Sequence, residues 1–532
     1  MHLTTLCVSA FASVVCAGGF NVLDPELMQR HCNSFAATDE ELYANAVDNA
    51  HAYDFLKDNV PLFECPDADI TRTYYFRWWT YRKHLRKTSA GWVVTEFLPP
   101  VGWAGAENTI SCAMGHHLRE GRWLRFGGIL DDYTRFMLEK GNVTGPRSYV
   151  CWPAWSTLER LRVSGERDIA ISMLPKFVRR FDECKAGWTL GRDFRTGQNP
   201  ATGLFSMDCG HEGTECALSV DGARPMVNAA MWAEASAISR IAELSGDDAL
   251  ASRFRKEAAV IENAITSRLW HAERKFFTAV AIDGSRDAVR ELHGYAPFYF
   301  KMPLKPVFLS AWKPLMREDG FCAKWGLTFP ERSTPGFTID YKGHECKWNG
   351  PSWPYATSIA LTALYETLQS TCGDKMPVSS SDFAALLKQY AAAHVRRLED
   401  GRVVPWIDEN QNPFTGDWIS RTIIRESPSM RKRFRRERGK DYNHSTFCDL
   451  VIAGLCGVVP HEDGRIDEKP LAPPEWDWWC VDGIRYHGRD VTVLFDRDGK
   501  RYGRGKGLVI VEMPPHQTPR RDSTSSGQSV SD

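Results

Sequence analysis

The 532-residue sequence lacks an excess of either charge, since 66 Lys and Arg side chains nearly balance 67 Asp and Glu side chains. This balance gives no electrostatic reason to expect binding to nucleic acid or to an anionic membrane surface. The sequence also lacks a Cys-x-x-Cys pair and a His-Glu-x-x-His motif, which argues against a metal site. We therefore predict no metal, no nucleic acid and no membrane among its partners.

Long apolar runs are also missing, because no segment after the N-terminus reaches the roughly 18 apolar residues that a membrane-spanning helix needs. The first residues, LTTLCVSAFASVVCA, form a shorter apolar run that ends in small residues. This pattern is typical of a signal peptide, although no Lys or Arg precedes the run. We predict a signal peptide over residues 1–17 and secretion of the remaining chain.

Cysteine spacing does not determine disulfide pairing. Two of the 15 cysteines lie in the predicted leader, and the odd number left over permits disulfides without fixing any pair. Asn142 and Asn443 begin the sequons NVT and NHS, so we expect a glycoprotein.

Helical periodicity dominates the chain. The predicted helices, several of them joined in pairs by short links, cover residues 41–59, 123–140, 149–163, 167–184, 225–244, 249–269, 352–369, 381–398 and 446–456. Longer polar segments, rich in Gly, Pro, Trp and carboxylates, cover 72–108, 185–225, 285–351 and 401–445. Short links alternating with long loops favour a mainly α fold, an α/α toroid with one decorated face. A linear solenoid is disfavoured, because the sequence has no repeat of fixed period.

The composition changes near residue 470. Residues 471–513 alternate apolar and polar side chains, with turn signals at 497–499, which predicts a small β appendage of three or four strands. Such a unit is too small to fold alone, so we expect it to pack on the helical domain, residues 18–470. The Ser-rich tail, residues 514–532, is predicted to be disordered.

The most polar functional candidate is the segment 205–228, FSMDCGHEGTECALSVDGARPMVN, which contains Asp208, Glu212 and Glu215. Pro225 then opens a strongly periodic helix, and loops held by rigid elements often position catalytic groups. Cleavage of a glycosidic bond needs a carboxylic acid and a second carboxylate, and it needs no cofactor. Burial among other carboxylates would raise the pKa of Glu215 as that acid requires. Alternatively, these residues cap helices and hold turns.

Two further segments contain candidate groups. Glu409 lies in WIDENQNPFTG, where Asn-Pro and Thr-Gly predict tight turns near Trp406, although a simple surface turn has the same pattern. The segment ECKWNGPSWP, residues 345–354, places Trp348 and Trp353 around a turn at a helix start. This segment is either a hydrophobic staple combined with a helix cap or an aromatic surface on which a sugar ring stacks. Glu345 in this segment is a competing carboxylate.

These segments resemble known families. WNGPSWP is similar to the W-x-G-P-x-W segment of glycoside hydrolase family 63 and the related trehalases. ENQNPFTG resembles the segment that holds the general base in family 63 enzymes and mannosylglycerate hydrolases. HEGTE, followed by RPMVN, resembles the segment that holds their general acid, with Thr214 in place of the usual Met. The resemblance extends over most of residues 70–460.

The resemblance implies an (α/α)6 barrel and hydrolysis by inversion, with Glu215 as the general acid and Glu409 as the general base. It also implies a set of sugar-binding residues in the pocket and at its rim: Arg77, Trp78, Trp79, Glu96, Trp103, Trp348, Asn349, Gly350 and Trp353. Trp406, the aromatic residue near Glu409, is a further predicted sugar-binding residue. Because the family often has Asp at the acid position, Asp208 remains an alternative acid.

We therefore expect a secreted, inverting, exo-acting α-glycosidase that binds gluco-, manno- or related glycosides. A polysaccharide lyase using Tyr442, Asn443 and His444 is one alternative, and a non-catalytic glycan-binding protein is another. The remaining candidates, His116, His117 and His293, are predicted to be structural, and the basic run 430–440 is predicted to be a solvated loop. The sugar, the linkage and the oligomeric state do not follow from the sequence.

Overall fold

A computed structural model describes residues 19–43, 45–146, 148–190, 194–371 and 376–513. The predicted leader, residues 1–17, and the predicted disordered tail, residues 514–532, lie outside the described residues. Helices dominate the described chain. The α-helices are α1 (Glu26–Ala36), α2 (Ala52–Asn59), α3 (Ala68–Lys83), α4 (Met114–Gly121), α5 (Gly128–Glu139), α6 (Pro153–Ser164), α7 (Arg167–Ala186), α8 (Cys209–Glu212), α9 (Pro225–Ser245), α10 (Asp248–Ala264), α11 (Ala296–Tyr299), α12 (Pro354–Ser370), α13 (Ser380–Ala392), α14 (Ile419–Glu426) and α15 (Pro428–Arg433). Short 3-10 and π helices occupy Leu292–Tyr295, Pro306–Trp312, Ile265–Leu269 and Leu450–Leu455.

Helices α9 and α10 show how the sequence builds a helical hairpin. Pro225 begins α9, where its fixed φ suits the first turn, and Gly246 ends the helix with a left-handed φ of 79°. Asp247 then caps α10 by accepting a hydrogen bond from the backbone N–H of Leu250. The hydroxyl of Ser239 donates to a carbonyl of α10, and the two helices pack together. The predicted helices 225–244 and 249–269 are confirmed, with a π-helical final turn in the second.

The helices pack in a continuous series. Helix α3 contacts α13, α13 contacts α12, α12 contacts α11, α11 contacts α9, α9 contacts α6, and α6 contacts α4. The hydroxyl of Tyr81 on α3 donates to the carbonyl of His117 on α4 at 2.9 Å. This hydrogen bond connects the last helix of the series to the first.

The prediction of a long polar segment at 72–108 is wrong for its first part, because helix α3 extends to Lys83. Almost every side chain from Ile70 to Lys83 is buried, so the helix has no exposed polar face. Its apolar residues therefore do not recur with a clear one-sided period, which is the signal that the prediction needs. Asp67 fixes the start of α3 by accepting from two backbone N–H groups.

Several predicted helices are shorter in the structure. Among the described residues of the predicted helix 41–59, only 52–59 are helical, and the helix predicted at 123–140 begins at Gly128. The helix predicted at 381–398 ends at Ala392, because the chain then forms the hairpin strands Val395–Arg397 and Val403–Pro405. Other two-stranded pairs lie in the loops: 85–88 with 91–94, 189–190 with 194–195, 197–198 with 205–206, 222–223 with 280–281, 270–271 with 276–277, 322–323 with 326–327 and 458–460 with 466–468.

The C-terminal residues form the predicted small sheet. Its strands Trp478–Tyr486, Arg489–Asp496 and Gly507–Met513 are antiparallel neighbours. A fourth strand, Leu62–Glu64, comes from the N-terminal part of the chain and pairs with the first of them. The sheet is therefore built into the helical body rather than appended to its end.

Two further observations concern the described residues as a whole. No helix among them is both long enough and apolar enough to cross a membrane. The described cysteines are all free thiols, and most of them are partly or fully buried.

Candidate active site

One segment, residues 345–354, lies between the two loops that hold the candidate carboxylates. On one side the backbone N–H of Trp348 donates to the carbonyl of Glu215 at 3.0 Å. On the other side Ser352 and Gln411 exchange two backbone hydrogen bonds of 2.9 and 2.8 Å. These hydrogen bonds bring loops that are about two hundred positions apart to one place in the fold.

Close packing shapes this central segment. A Cβ atom at Gly350 would lie 2.0 Å from the carbonyl oxygen of Thr338, so only glycine fits there. The rings of Trp348 and Trp353 stack with centroids 4.0 Å apart and planes 6° apart. Both Trp side chains are buried. They therefore support the segment from within rather than offer an open platform.

Glu215 lies at the edge of the site. The Cys346 thiol donates a hydrogen bond to Oε2 of Glu215 over 3.2 Å. Burial raises the pKa of Glu215, the negative charge of Glu345 raises it further, and the Cys346 hydrogen bond opposes this rise. The side chain is thus held as a carboxylic acid over a wider pH range than an exposed Glu.

Glu409 lies deeper and is 5% exposed. Its Oε2 atom accepts a hydrogen bond from Nη2 of Arg438. Burial raises the pKa of Glu409 to about 8, an effect that the positive charge of Arg438 opposes and the charges of Asp408 and Glu345 increase. Arg438 also donates to Oε1 of Glu345 at 3.5 Å, so one guanidinium contacts two carboxylates.

Glu96 connects the two catalytic candidates electrostatically. The indole of Trp103 donates to Oε1 of Glu96 at 3.0 Å, and Trp103 itself is 41% exposed at the rim. Burial raises the pKa of Glu96 to about 7, and the charge of Glu215 adds to this rise. The charge of Glu96 in turn raises the pKa of Glu409. We call Glu96, Glu215, Glu345 and Glu409 the carboxylate centre.

Several buried polar atoms around the carboxylate centre have no hydrogen-bond partner among the described residues. They include the acceptors Oε2 of Glu96, Oε2 of Glu345 and Oδ1 of Asn349, the donors Nε of Arg438 and Nε1 of Trp348, and Nε2 of His444 and both side-chain amide atoms of Asn443. Buried polar groups in folded proteins are normally paired, so such a group of atoms is suited to a ligand with many hydroxyls. Burial of Asn443 also makes its predicted sequon inaccessible in the folded chain.

Three predicted rim residues lie elsewhere. Arg77, Trp78 and Trp79 are on α3 and are almost completely buried in the core. The guanidinium of Arg77 donates to the hydroxyl and the carbonyl of Ser445, both at 2.9 Å. The rim position that the resemblance implies for these three residues is therefore corrected, because α3 runs through the interior.

Trp406 and Asp208 have supporting contacts. The Trp406 ring is buried under the guanidinium groups of Arg396 and Arg421, 4.6 and 5.1 Å from its centroid.

Asp208 caps α8 by accepting a hydrogen bond from the backbone N–H of His211 at 2.6 Å, and it contacts the His211 imidazole at 2.9 Å. Burial raises the pKa of Asp208, but the hydrogen bonds from His211 outweigh it and lower the pKa overall. An acid catalyst needs the opposite shift.

Arg438 and Cys346 are site residues that the sequence reasoning missed. Arg438 belongs to the basic run 430–440 that the sequence predicts to be solvated, yet it is 3% exposed, with Phe434 and Phe97 4.4 and 4.8 Å from its guanidinium carbon. Two buried Glu side chains need a cation near them, and this need is the signal that could have pointed to Arg438. Cys346 gave no signal of its own.

Comparison with known proteins adds a family to this geometry. The family model for the mannosylglycerate hydrolase MGH1-like glycoside hydrolase domain matches residues 106–445, which include Glu215, Glu345, Glu409 and Arg438.

Solved structures give a second comparison. A sialidase is 33% identical with a TM-score of 0.83, over 93% of this chain and 43% of that chain, so this chain spans less than half of the sialidase. A GH78 family rhamnosidase of Bacillus sp. GL1 is 11% identical with a TM-score of 0.55, over 82% of this chain and 40% of that chain, a likeness of fold alone. The GH63 mannosylglycerate hydrolase of Thermus thermophilus in complex with glucose is 13% identical with a TM-score of 0.47, over 71% of this chain and 98% of that chain.

Proposed function

The chain belongs to the family of mannosylglycerate hydrolase MGH1-like glycoside hydrolases, and we propose that it cleaves a glycosidic bond with inversion. Glu215 is the general acid and Glu409 is the general base in this proposal. The observation that supports it best is that segment 345–354 joins the two loops and brings both Glu side chains to one carboxylate centre. Neither role requires a cofactor.

The surroundings of Glu215 suit an acid. Its pKa is raised by burial and by the charge of Glu345, so it keeps its proton at a pH where an exposed Glu is ionised. The Cys346 thiol holds one carboxyl oxygen, which leaves the other free to protonate the departing glycosidic oxygen.

The surroundings of Glu409 suit a base. With a pKa of about 8, Glu409 in its ionised form takes the proton of an attacking water more strongly than an ordinary carboxylate, but it is ionised to a large extent only as the pH approaches 8. The Arg438 guanidinium favours the ionised form that is needed before the reaction. In an inverting enzyme the two carboxyl groups lie about 6.5–9.5 Å apart, with the water between the base and the sugar.

We also propose that the helices close into an (α/α)6 toroid. The continuous contact series from α3 through α13, α12, α11, α9 and α6 to α4 supports this closure, and so does the hydrogen bond from Tyr81 to His117. The long loops with the carboxylate centre would then meet at one end of the ring. Exo action is a further part of the proposal, and the burial of Glu96 under its hydrogen bond with the exposed Trp103 supports it.

Secretion remains a proposal that is supported by the apolar leader of residues 1–17. N-terminal sequencing of the protein recovered from the culture medium tests it. A mature chain that begins near residue 18 is the expected result, and an intact leader in cell extract contradicts it.

The lyase alternative has less support. A lyase base must remove a proton, yet burial lowers the pKa of His444 to about 3 and raises the pKa of Tyr442 well above its ordinary range. The uronate of a lyase substrate also needs a cation, and Arg438 already contacts two carboxylates. Ultraviolet absorbance from a new double bond in the product would favour the lyase.

Hydrolysis of a panel of aryl glycosides and oligosaccharides tests the proposal. We expect release of sugar by the wild-type chain and none by E215Q or E409Q, with E107Q as the control. Glu107 is a partly exposed Glu in the rim loop, 3.8 Å from Arg86. Binding of glycosides without turnover across the panel would favour the non-catalytic alternative.

A further inference from the structure

The basic run 430–440 divides into a buried part and an exposed part. Phe434 and Arg438 are buried, and the centroid of the Phe434 ring lies 4.4 Å from the guanidinium carbon of Arg438. The side chains on either side of Phe434 face the solvent instead. We call four of these exposed cations the basic ridge: Arg431, Lys432, Arg433 and Arg435.

The cations of the basic ridge are not neutralised by neighbouring carboxylates. Glu437, which follows the ridge in the chain, contacts Arg421 at 3.1 Å, and Glu40 contacts Arg436 at 2.7 Å. These acidic side chains are therefore already paired with other cations. Within the described ranges, no ion pair joins any of the four ridge cations to a carboxylate.

The charges of the basic ridge also lie close together. Residues 431–436 contain no acidic side chain, and the Cα atoms of Arg431 and Arg435 are at most about 14 Å apart. Salt at physiological strength screens charges over about 8 Å, so each ridge cation adds to the potential around its neighbours. Such a surplus of one sign attracts a partner with many negative charges.

The basic ridge borders the mouth of the candidate active site. Phe434, in the middle of the ridge, contacts the ring of Trp103 edge-on, with centroids 6.1 Å apart. Trp103 is 41% exposed and donates a hydrogen bond to Glu96 of the carboxylate centre. On its inner side Phe434 packs against Arg438, which contacts Glu409. Four free cations and an exposed indole therefore lie side by side at the rim.

We propose that the basic ridge binds an acidic polysaccharide, a chain of sugars with closely spaced carboxylate or sulfate groups, beside the mouth of the active site. Runs rich in Lys and Arg are typical of surfaces that bind such polyanions, and guanidinium groups match their oxyanions through paired N–H donors. A polysaccharide also presents apolar ring faces to the indole of Trp103, which a DNA duplex and a lipid head group do not. The bound chain need not be the chain that is cleaved, so this proposal goes beyond the proposed function.

Binding of two acidic polysaccharides by the full chain tests the proposal. Polygalacturonate bears carboxylates alone, heparin bears sulfates as well, and dextran is a neutral control. Calorimetry measures the dissociation constant of each. We expect polygalacturonate and heparin to bind and dextran not to bind. The affinity should fall at least tenfold as the salt concentration rises from about 50 to about 300 mM.

Variants assign the binding to the basic ridge. The variant R431Q/K432Q/R433Q/R435Q should bind both acidic polysaccharides at least tenfold more weakly at low salt. The variant R431K/R433K/R435K keeps the charges and loses the guanidinium groups, so it should weaken binding by only about twofold to threefold. The control K256Q/R268Q/K305Q/K313Q makes the same change in net charge at exposed positions outside the run, and it should bind as wild type does. Circular dichroism should show wild-type secondary structure in all of them, because the altered side chains are exposed.

The indole of Trp103 separates a polysaccharide from other polyanions. W103A should weaken binding of both acidic polysaccharides by roughly threefold to tenfold. A DNA duplex and vesicles that contain phosphatidylserine serve as the other polyanions. The proposal is overturned if either of them binds as tightly as the polysaccharides at the same salt, or if W103A leaves the polysaccharide affinity unchanged. Equal binding by the ridge variant and its control, or the absence of binding by both acidic polysaccharides, also overturns it.

Discussion

The Sγ atom of Cys346 lies 3.2 Å from Oε2 of Glu215, although the two residues are 131 positions apart in the chain. The thiol is the donor in this contact, and it is part of the same segment that hydrogen-bonds to the Glu409 loop. Cys346 is thus a positioning residue for the proposed acid and fixes the orientation of its carboxyl group.

Replacement of Cys346 by Ala should change the pH dependence of catalysis. The thiol hydrogen bond lowers the pKa of Glu215, so its loss raises that pKa, and the limb of the kcat/KM profile that Glu215 determines moves to higher pH. We also expect kcat to fall by roughly threefold to tenfold, the value of one hydrogen bond. C346S retains a donor and should restore both. C216S alters the exposed thiol next to Glu215 and should behave as wild type; the same shift in C216S would contradict this role.

Arg438 should control the ionisation of the base. Its positive charge opposes the rise in the pKa of Glu409, so R438Q raises that pKa further and less of the base is ionised at neutral pH. The limb of the kcat/KM profile that Glu409 determines should therefore move to higher pH, and R438K should move it less because a charge remains. R435Q, in an exposed position of the same run, serves as the control. A kcat/KM profile with both limbs unchanged in R438Q argues against Glu409 as the base.

Glu409 should reduce stability at alkaline pH. Its pKa is about 8 in the folded protein and 4.5 ordinarily, so the folded state loses stability as the pH rises through this interval. E409Q removes the ionisable group and should be more stable than wild type by about 1–3 kcal/mol at about pH 9, with almost no difference at about pH 4. E409Q also loses the ion pair with Arg438, so its gain in the free energy of unfolding stays below the value that corresponds to the whole pKa shift. Urea unfolding at both pH values measures it, and an equal difference at both would refute the assigned pKa.

Gly350 should not tolerate even alanine. The added Cβ would lie 2.0 Å from the Thr338 carbonyl oxygen, so the backbone of segment 345–354 must move. We expect G350A to lose about 1–3 kcal/mol of stability and to disturb the contact between the Glu215 and Glu409 loops. At Gly102 a Cβ has no neighbour within 4 Å, so G102A is the control. Wild-type activity in G350A would show that this close contact does not position the carboxylates.

The sequence predicts the hairpin α9–α10 well and α3 poorly, for the same physical reason. Helix α9 starts at a Pro and ends at a Gly, signals that are local to the chain. Helix α3 is buried on almost all sides, so its environment is set by helices that are distant in sequence. The strand Leu62–Glu64 likewise exists because it pairs with strand Trp478–Tyr486.

The candidate site residues also divide into those with a local sequence signal and those that depend on contacts across the fold. Glu215 and Glu409 are proposed from the sequence, because each lies in a motif with recognisable turns and neighbours, and the structure joins their loops through segment 345–354. Arg438 and Cys346 are not, because each matters only through a contact made across the fold. Arg77 shows the reverse case, since its position in an aromatic motif suggested a rim residue and the fold buries it.

The anomeric configuration of the released sugar tests the central claim most directly. Proton NMR, recorded within the first turnovers on a cleavable glycoside, distinguishes the two anomers before they equilibrate. A general acid at Glu215 and a general base at Glu409 predict a product of inverted configuration. A product of retained configuration would contradict the account, because it requires one carboxylate to attack the sugar itself.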